Sequence, residues 1–257
     1  MKINIKYDKE KLSKNYDSII IGSGISGLCC AAFLAMYGKK VLILEKHFKI
    51  GGWTHTFKRN GYEWDVGIHY IGSVHLKKTM SRKILDIISD NKLEWEKMSP
   101  NYDRIIFPDQ SYNFIAPKES FIKHLIEYFP KEEKAIYIYM ELVEKANKTS
   151  LKYFMSKALS GISEFLFYKS LTKDFFKYSD KTTYEVLSSI TSNEKLISVL
   201  TGQWGDHGLP PKKSSFMMHS LIAHHYFDGG NYPIGGCRSI AETIVPFIKK
   251  HGGDIFI

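Results

Sequence analysis

Apolar positions along the chain follow three rhythms. Near the start an unbroken run, Ile19-Ile20-Ile21, is followed by helical spacing over 25–37, by Gly38, and by a second unbroken run over 41–44. Short apolar runs bounded by glycine read as buried strands, so the predicted order is β-α-β. Runs at 54–58 and 62–66 flank Asn60-Gly61, a pair that accepts the backbone of a tight two-residue turn, which predicts a hairpin. A second hairpin is predicted at 104–107 and 112–115, around Pro108-Asp109-Gln110-Ser111.

The middle of the chain is helical in rhythm. Helices are predicted over 83–88, 120–128 (ended by Pro130), 131–148, 183–190 and 194–200. The stretch 152–178 is aromatic, with Tyr153, Phe154, Phe165, Phe167, Tyr168, Phe175, Phe176 and Tyr178 interleaved with five lysines. Basic and aromatic side chains on one helix suit a membrane surface. An amphipathic cover of a core, or a lid, is the favoured reading, because lysine stems cover apolar surface. Beyond the breaker Gly208-Leu209-Pro210-Pro211, Ser214 or Ser215 caps a helix running to Tyr226. A glycine-rich loop follows at 229–236, then a helix over 239–250 containing Pro246, and a strand from 254. The expected organisation is a cofactor-binding βαβ unit and hairpin at 1–75, an inserted substrate or lid region at 76–205, and a return to the cofactor domain at 206–257.

Chemistry enters at the first turn. Gly22, Gly24 and Gly27 have the spacing G-x-G-x-x-G between the first strand and the helix, and Glu45 lies 18 residues beyond Gly27 at the tip of the second strand. Glycine allows the turn, the close approach of backbone to a diphosphate, and the packing of helix on strand, and the helix N-terminus favours an anion. A carboxylate at Glu45 can accept from ribose hydroxyls and repels a 2′-phosphate, which favours FAD or NAD over NADP. Ser23 and Ser26 offer further diphosphate contacts, and Lys46 adjoins Glu45. Gly51-Gly52 permits another close backbone approach or a tight turn. Residues 65–72 combine Asp65, His69, Gly67 and Gly72, compatible equally with a binding loop and with a turn after the hairpin.

Composition narrows the class. With 44% hydrophobic and 25% charged residues the chain is of ordinary globular make-up, and its net charge of +9 comes from lysines spread along it. No compact basic cluster with aromatics sits at a nucleic-acid motif, so nucleic acid is not an expected partner. A lysine-rich surface also suits anionic headgroups, leaving a peripheral membrane contact open. The first 16 residues lack an apolar signal region and no run spans a bilayer, so the expected location is cytoplasmic or on the cytoplasmic face of a membrane. Three cysteines, Cys29, Cys30 and Cys237, form no disulfide framework. His219, His224 and His225 lack the i, i+4 spacing of a helical zinc pair, so no metal is expected. G-x-S-x-G is absent, which speaks against a serine hydrolase.

The stretch from Tyr16 to Gly72, with its G-x-G-x-x-G, Gly51-Gly52-Trp53-Thr54-His55-Thr56-Phe57 and Asp65-Val66-Gly67-Ile68-His69-Tyr70, resembles the retinol saturase, carotenoid isomerase and phytoene desaturase branch of flavoproteins, the retinol saturase type most. A second block, Ser215-Phe216-Met217-Met218-His219 followed by the loop 229–236, resembles the same family in the expected order. The resemblance implies a Rossmann-like α/β fold, FAD as cofactor, and action on double bonds of a polyene or isoprenoid lipid. It implies the ADP half of FAD on Gly22, Ser23, Gly24, Ser26 and Gly27, with Glu45 on the ribose. Lys46 belongs to the same set, Gly51 and Gly52 pass close to the cofactor, and residues 65–69 point towards the flavin. His69 and Tyr70 are proton-donor candidates by position alone. Relatives are longer and carry a late glycine-rich segment that returns to the flavin. The chain stops at Ile257 within a predicted strand, so a fragment or one part of a split protein is expected, with a missing C-terminal half as partner. Two other readings stand beside this one. A non-catalytic isoprenoid or lipid binder is built on the same scaffold. In an NAD-dependent dehydrogenase, Gly51-Gly52 and Gly235-Gly236 would have no evident use; NAD is alternatively the reductant.

Overall fold

The computed structural model describes residues 6–257 except 9, 11, 13, 14, 68 and 69, and within them omits the side chains of 164–166. The chain divides into two compact units, residues 1–98 with 230–257, and residues 99–229. The division differs from the expected one. Residues 76–98 stay with the first unit, because their helix and following strand pack there, and residues 206–229 belong to the helical second unit.

The first unit is built on a parallel sheet. β1 (Ser18–Ile21), α1 (Ile25–Met36) and β2 (Val41–Leu44) form the predicted β-α-β crossover. β10 (Asp254–Phe256) adds on the far side of β2, giving the order β1-β2-β10 with all pairs parallel. α9 (Arg238–Lys250) covers this sheet alongside α1 and α2 (Met80–Ile88), and the core is made by Leu28, Ala31, Ala32, Val41, Ile43, Ile88, Ile240, Ile244, Ile248 and Ile255. The alanines of α1 let this helix lie close to its neighbours. Pro246 sits inside α9 without ending it. Among the described residues β1 and β10 are the two edges of this sheet, and Ile19 and Ile21 on β1 are 61% and 90% exposed.

Two small antiparallel sheets complete this unit. β3 (Thr56–Arg59) and β4 (Tyr62–Asp65) form the predicted hairpin, with Asn60 and Gly61 both at positive φ. β5 (Ile71–Gly72), β9 (Gly230–Pro233) and β6 (Trp95–Lys97) form a sheet with β9 in the middle. The glycine-rich loop read from sequence therefore contains a central strand.

The second unit is mainly helical. Its hairpin, β7 (Asn101–Ile106) and β8 (Ser111–Ile115), packs on α3 (Lys118–Tyr128). α4 (Glu133–Ser156) and α5 (Ile162–Ser179) form a helical hairpin; α4 is longer than predicted and absorbs the start of the aromatic stretch. α6 (Thr183–Ser188), α7 (Glu194–Leu200) and α8 (Phe216–Tyr226) follow. Ser215 caps α8 by accepting from the Met217 N–H at 3.2 Å. His219, on α8, is buried with its Nε2 3.0 Å from the buried Tyr139 hydroxyl. Among the described residues, no helix is long and apolar enough to cross a membrane.

A candidate dinucleotide site

The turn between β1 and α1 is fixed by three glycines with different duties. Gly22, at φ +95°, turns the chain out of β1 and donates to the Leu44 carbonyl at 2.8 Å, tying the turn to β2. At Gly27 a Cβ would stand 2.3 Å from the Gly22 carbonyl oxygen, so α1 lies against the turn only because that atom is missing. Gly24 is different: its φ of −64° suits any residue, and a Cβ there would meet nothing within 4 Å. Packing therefore does not require glycine at 24, and the backbone there is open to approach. α1 begins there with no side-chain cap and no acid in its first turn, so its N–H groups and positive dipole end are available to an anion.

A second backbone segment closes on the first. Gly24 and Gly51 form a parallel bridge, and the Gly51 N–H donates to the Ser23 carbonyl at 3.1 Å. A Cβ on Gly52 would come 2.9 Å from the Gly24 Cα, so the two glycine motifs meet face to face. α9 abuts the same place, since a Cβ on Gly51 would lie 3.4 Å from the Ala241 Cβ.

Glu45 is drawn into this cradle. Its Oε2 accepts from the Ser23 N–H at 2.7 Å and the Ser23 hydroxyl at 2.5 Å, and its Oε1 accepts from the His47 N–H at 2.8 Å. Partial burial alone would raise its pKa, but the hydrogen bonds from the Ser23 hydroxyl and from the backbone of His47, Ser23 and Lys46 outweigh it and hold the carboxyl below its ordinary value. Ser23 is fully buried and serves as an anchor for Glu45. Ser26 and Lys46 are exposed, the first in the opening turn of α1 and the second beside Glu45.

The structure thus brings together Gly22, Ser23, Gly24, Gly27, Glu45, Gly51 and Gly52. His69 lies outside the described residues. Tyr70 is half-buried, and its ring bounds Gly230 on β9, where a Cβ would come within 2.9 Å of the Tyr70 Cδ2. Among the described residues no group of three His, Cys, Asp or Glu side chains is arranged to hold a metal ion.

One cluster escaped the sequence reading. The Tyr232 hydroxyl donates a short hydrogen bond to Asp65 Oδ2, and the Cys237 N–H donates to Asp65 Oδ1 at 3.3 Å. Asp65 therefore clasps both ends of the glycine-rich turn that leads into α9. Burial, and then the Asp65 charge, push the Cys237 thiol up to about 12 and raise the Tyr232 phenol. Both groups stay protonated at neutral pH. The partners are 167 residues apart, and no local spacing joins them.

Comparison with known proteins agrees with this geometry. The model of the NAD(P)-binding Rossmann-like domain matches residues 20–83. All-trans-retinol 13,14-reductase of Danio rerio is 36% identical over 96% of this chain, and that of Homo sapiens 34% over 97%; the chain spans 42% of the length of each. A prolycopene isomerase of an Oncidium hybrid cultivar is 26% identical over 96% of the chain and 43% of its own length. Among solved structures, an oxidoreductase from Methanosarcina mazei superposes with a TM-score of 0.63 at 16% identity, over 93% of this chain and 50% of that one. Putrescine oxidase gives a TM-score of 0.57 at 14% identity, with the same coverage. Over the length it spans, this chain is similar in sequence to all-trans-retinol 13,14-reductase and, at lower identity, to prolycopene isomerase.

Proposed function

We propose that the chain is the dinucleotide-binding part of an FAD-dependent oxidoreductase acting on carbon–carbon double bonds of a polyene or isoprenoid lipid. The observation that carries this reading is the meeting of Gly24 with Gly51-Gly52 beside Glu45, which leaves open backbone at a helix N-terminus next to a ribose-binding acid. The residues fit the ADP half of FAD. The backbone at Gly22, Gly24 and Gly27 with Ser26 takes the diphosphate, and Ser23 sets the angle of Glu45. Glu45 retains acceptor capacity for ribose hydroxyls and repels a 2′-phosphate. Lys46, Gly51 and Gly52 form the rim. Bound flavin supplies hydride transfer, the chemistry that no side chain of this chain can provide. Asp65 holds the glycine-rich turn through Tyr232 and Cys237. Tyr70 and His69 remain the proton-donor candidates by position. Saturation, desaturation and isomerisation share such a scaffold, so the proposal is of bond class and not of direction.

Among the described residues β1 is an edge of the sheet, with room for one more strand beside it, and Ile19 and Ile21 leave one face of β1 exposed for such a segment to cover. We place the remaining length of the family at that edge, as a partner segment that completes the flavin site. The test is gel filtration with FAD, of the chain alone and co-expressed with the portion of the zebrafish relative that it does not span. Flavin that co-elutes with protein in either case supports the reading. Binding of NAD with no binding of FAD in both cases favours the dehydrogenase alternative. Polyene binding with neither nucleotide favours the non-redox binder.

A further inference from the structure

The tip of the α4–α5 hairpin carries more exposed apolar surface than a helical cover needs. Inside the hairpin, Tyr153 stacks on Phe175 with ring centroids 3.9 Å apart, and Phe176 meets Tyr153 edge-on. Outside it, Leu151, Phe154 and Met155 lie at i, i+3 and i+4 on the last turns of α4, so they share one face. Ile162 and Phe167 open α5 at the same end. These five side chains are between 54% and 80% exposed. The inner rings of this stretch pack within the hairpin, and its outer apolar side chains are exposed.

Charge selects the partner. Residues 141–178 contain seven lysines against four acidic residues; all seven lysines are exposed, and two of them, Lys145 and Lys177, are paired with Glu141 and Asp174. At about 100° per residue, Lys145, Lys148 and Lys152 lie within roughly 60° of one another and border directly on Met155, Leu151 and Phe154. Lys157 stands over the rings of Tyr153 and Tyr168, 5.0 and 5.2 Å from their centroids, which places a cation at the tip itself. An apolar arc bordered by a basic arc matches a bilayer surface, with acyl chains below and anionic headgroups beside them. A protein partner of one sign would satisfy the lysines but not five exposed apolar side chains at the end of the helical hairpin.

We propose that the α4–α5 tip docks on an anionic lipid surface, with Leu151, Phe154, Met155, Ile162 and Phe167 entering the headgroup boundary and Lys148, Lys152 and Lys157 engaging lipid phosphates. The inference stands on this unit alone and is independent of the flavin reading.

The test is co-sedimentation of the whole chain with phosphatidylcholine vesicles, with and without phosphatidylglycerol. The chain pellets with the anionic vesicles, and Phe154→Glu/Phe167→Glu lowers its partitioning by about tenfold or more, with an unchanged thermal midpoint because both side chains are exposed. A tryptophan at 154 (Phe154→Trp) is quenched by lipids brominated near the headgroup. Failure of the wild-type chain to pellet overturns the proposal, as does equal pelleting of the glutamate variant. Self-association of the wild-type chain that the glutamate variant abolishes, without vesicle binding, assigns the tip to a second copy instead.

Discussion

At the scale of the residue, Gly24 and Gly27 separate binding from folding. A Cβ at Gly27 would collide with the Gly22 carbonyl at 2.3 Å, a backbone atom that moves only with the whole turn. Gly27→Ala is expected to lower stability by about 1–3 kcal/mol, as overpacking does, read as a fall in the urea midpoint. Gly24→Ala meets open space and is expected to leave that midpoint within about 0.5 kcal/mol of the parent while weakening nucleotide binding, because the methyl group occupies the approach to the backbone. Equal damage to stability from both substitutions would contradict the cradle. Glu45 adds a pH dependence. Its folded pKa is below the ordinary 4.5, so its contribution is complete above that value and disappears as pH falls through the lower folded one. Glu45→Gln is expected to flatten this acid limb, and denaturant midpoints measured on both proteins between neutral and strongly acidic pH check it. These residues were legible in sequence because strand, glycines and acid lie within one contiguous unit. Asp65, Tyr232 and Cys237 were not, because what joins them is a hydrogen bond between distant segments.

At the scale of the element, α8 carries the second acid-sensitive feature. Burial, with the nearby His207 adding to it, lowers the His219 pKa to about 3, and burial, with His224 beside it, lowers that of His225 to about 4. Both histidines fold neutral, so their contribution is full above about 6.5 and is lost as pH falls towards the folded values. His219→Gln, which can keep the hydrogen bond to Tyr139, is expected to reduce the slope of stability against pH below 6.5. An unchanged slope would mean that Tyr139 and His219 do not meet in the buried state. α6 gives an independent check. Thr182 and Glu185 form a reciprocal capping box, with the Thr182 hydroxyl accepting from the Glu185 N–H at 3.1 Å and Glu185 accepting from the Thr182 N–H at 2.7 Å. Thr182→Ala is expected to cost about 1 kcal/mol in urea unfolding. Elements with their own local signals, such as α1, α7 and the Asn60-Gly61 hairpin, were readable from sequence. β5, β6 and β9 were not: each has two to four residues, and Ile71 is tied to Asn231 across 160 positions, so only the finished fold makes them strands.

At the scale of the whole molecule, β1 is an edge of the parallel sheet among the described residues, in a chain of net charge +9. Among the described residues no strand pairs with the outer edge of β1, and Ile21 is highly exposed, a combination that invites pairing with another strand. Ile21→Lys is expected to suppress concentration-dependent association in sedimentation velocity without lowering the thermal midpoint, since the side chain has little packing to lose. The chain spans 42% of the length of the retinol reductase relatives. The central claim is that Gly24, Gly51-Gly52 and Glu45 form a seat for FAD. The most direct measurement is the absorbance spectrum of the protein purified with added FAD, alone and together with the portion of a relative that it does not span. Flavin bands that travel with the protein, bleach on reduction and vanish in Gly24→Ala are the predicted result. A protein that folds with its partner segment and carries no flavin, or one whose flavin is indifferent to Gly24→Ala, would contradict the account.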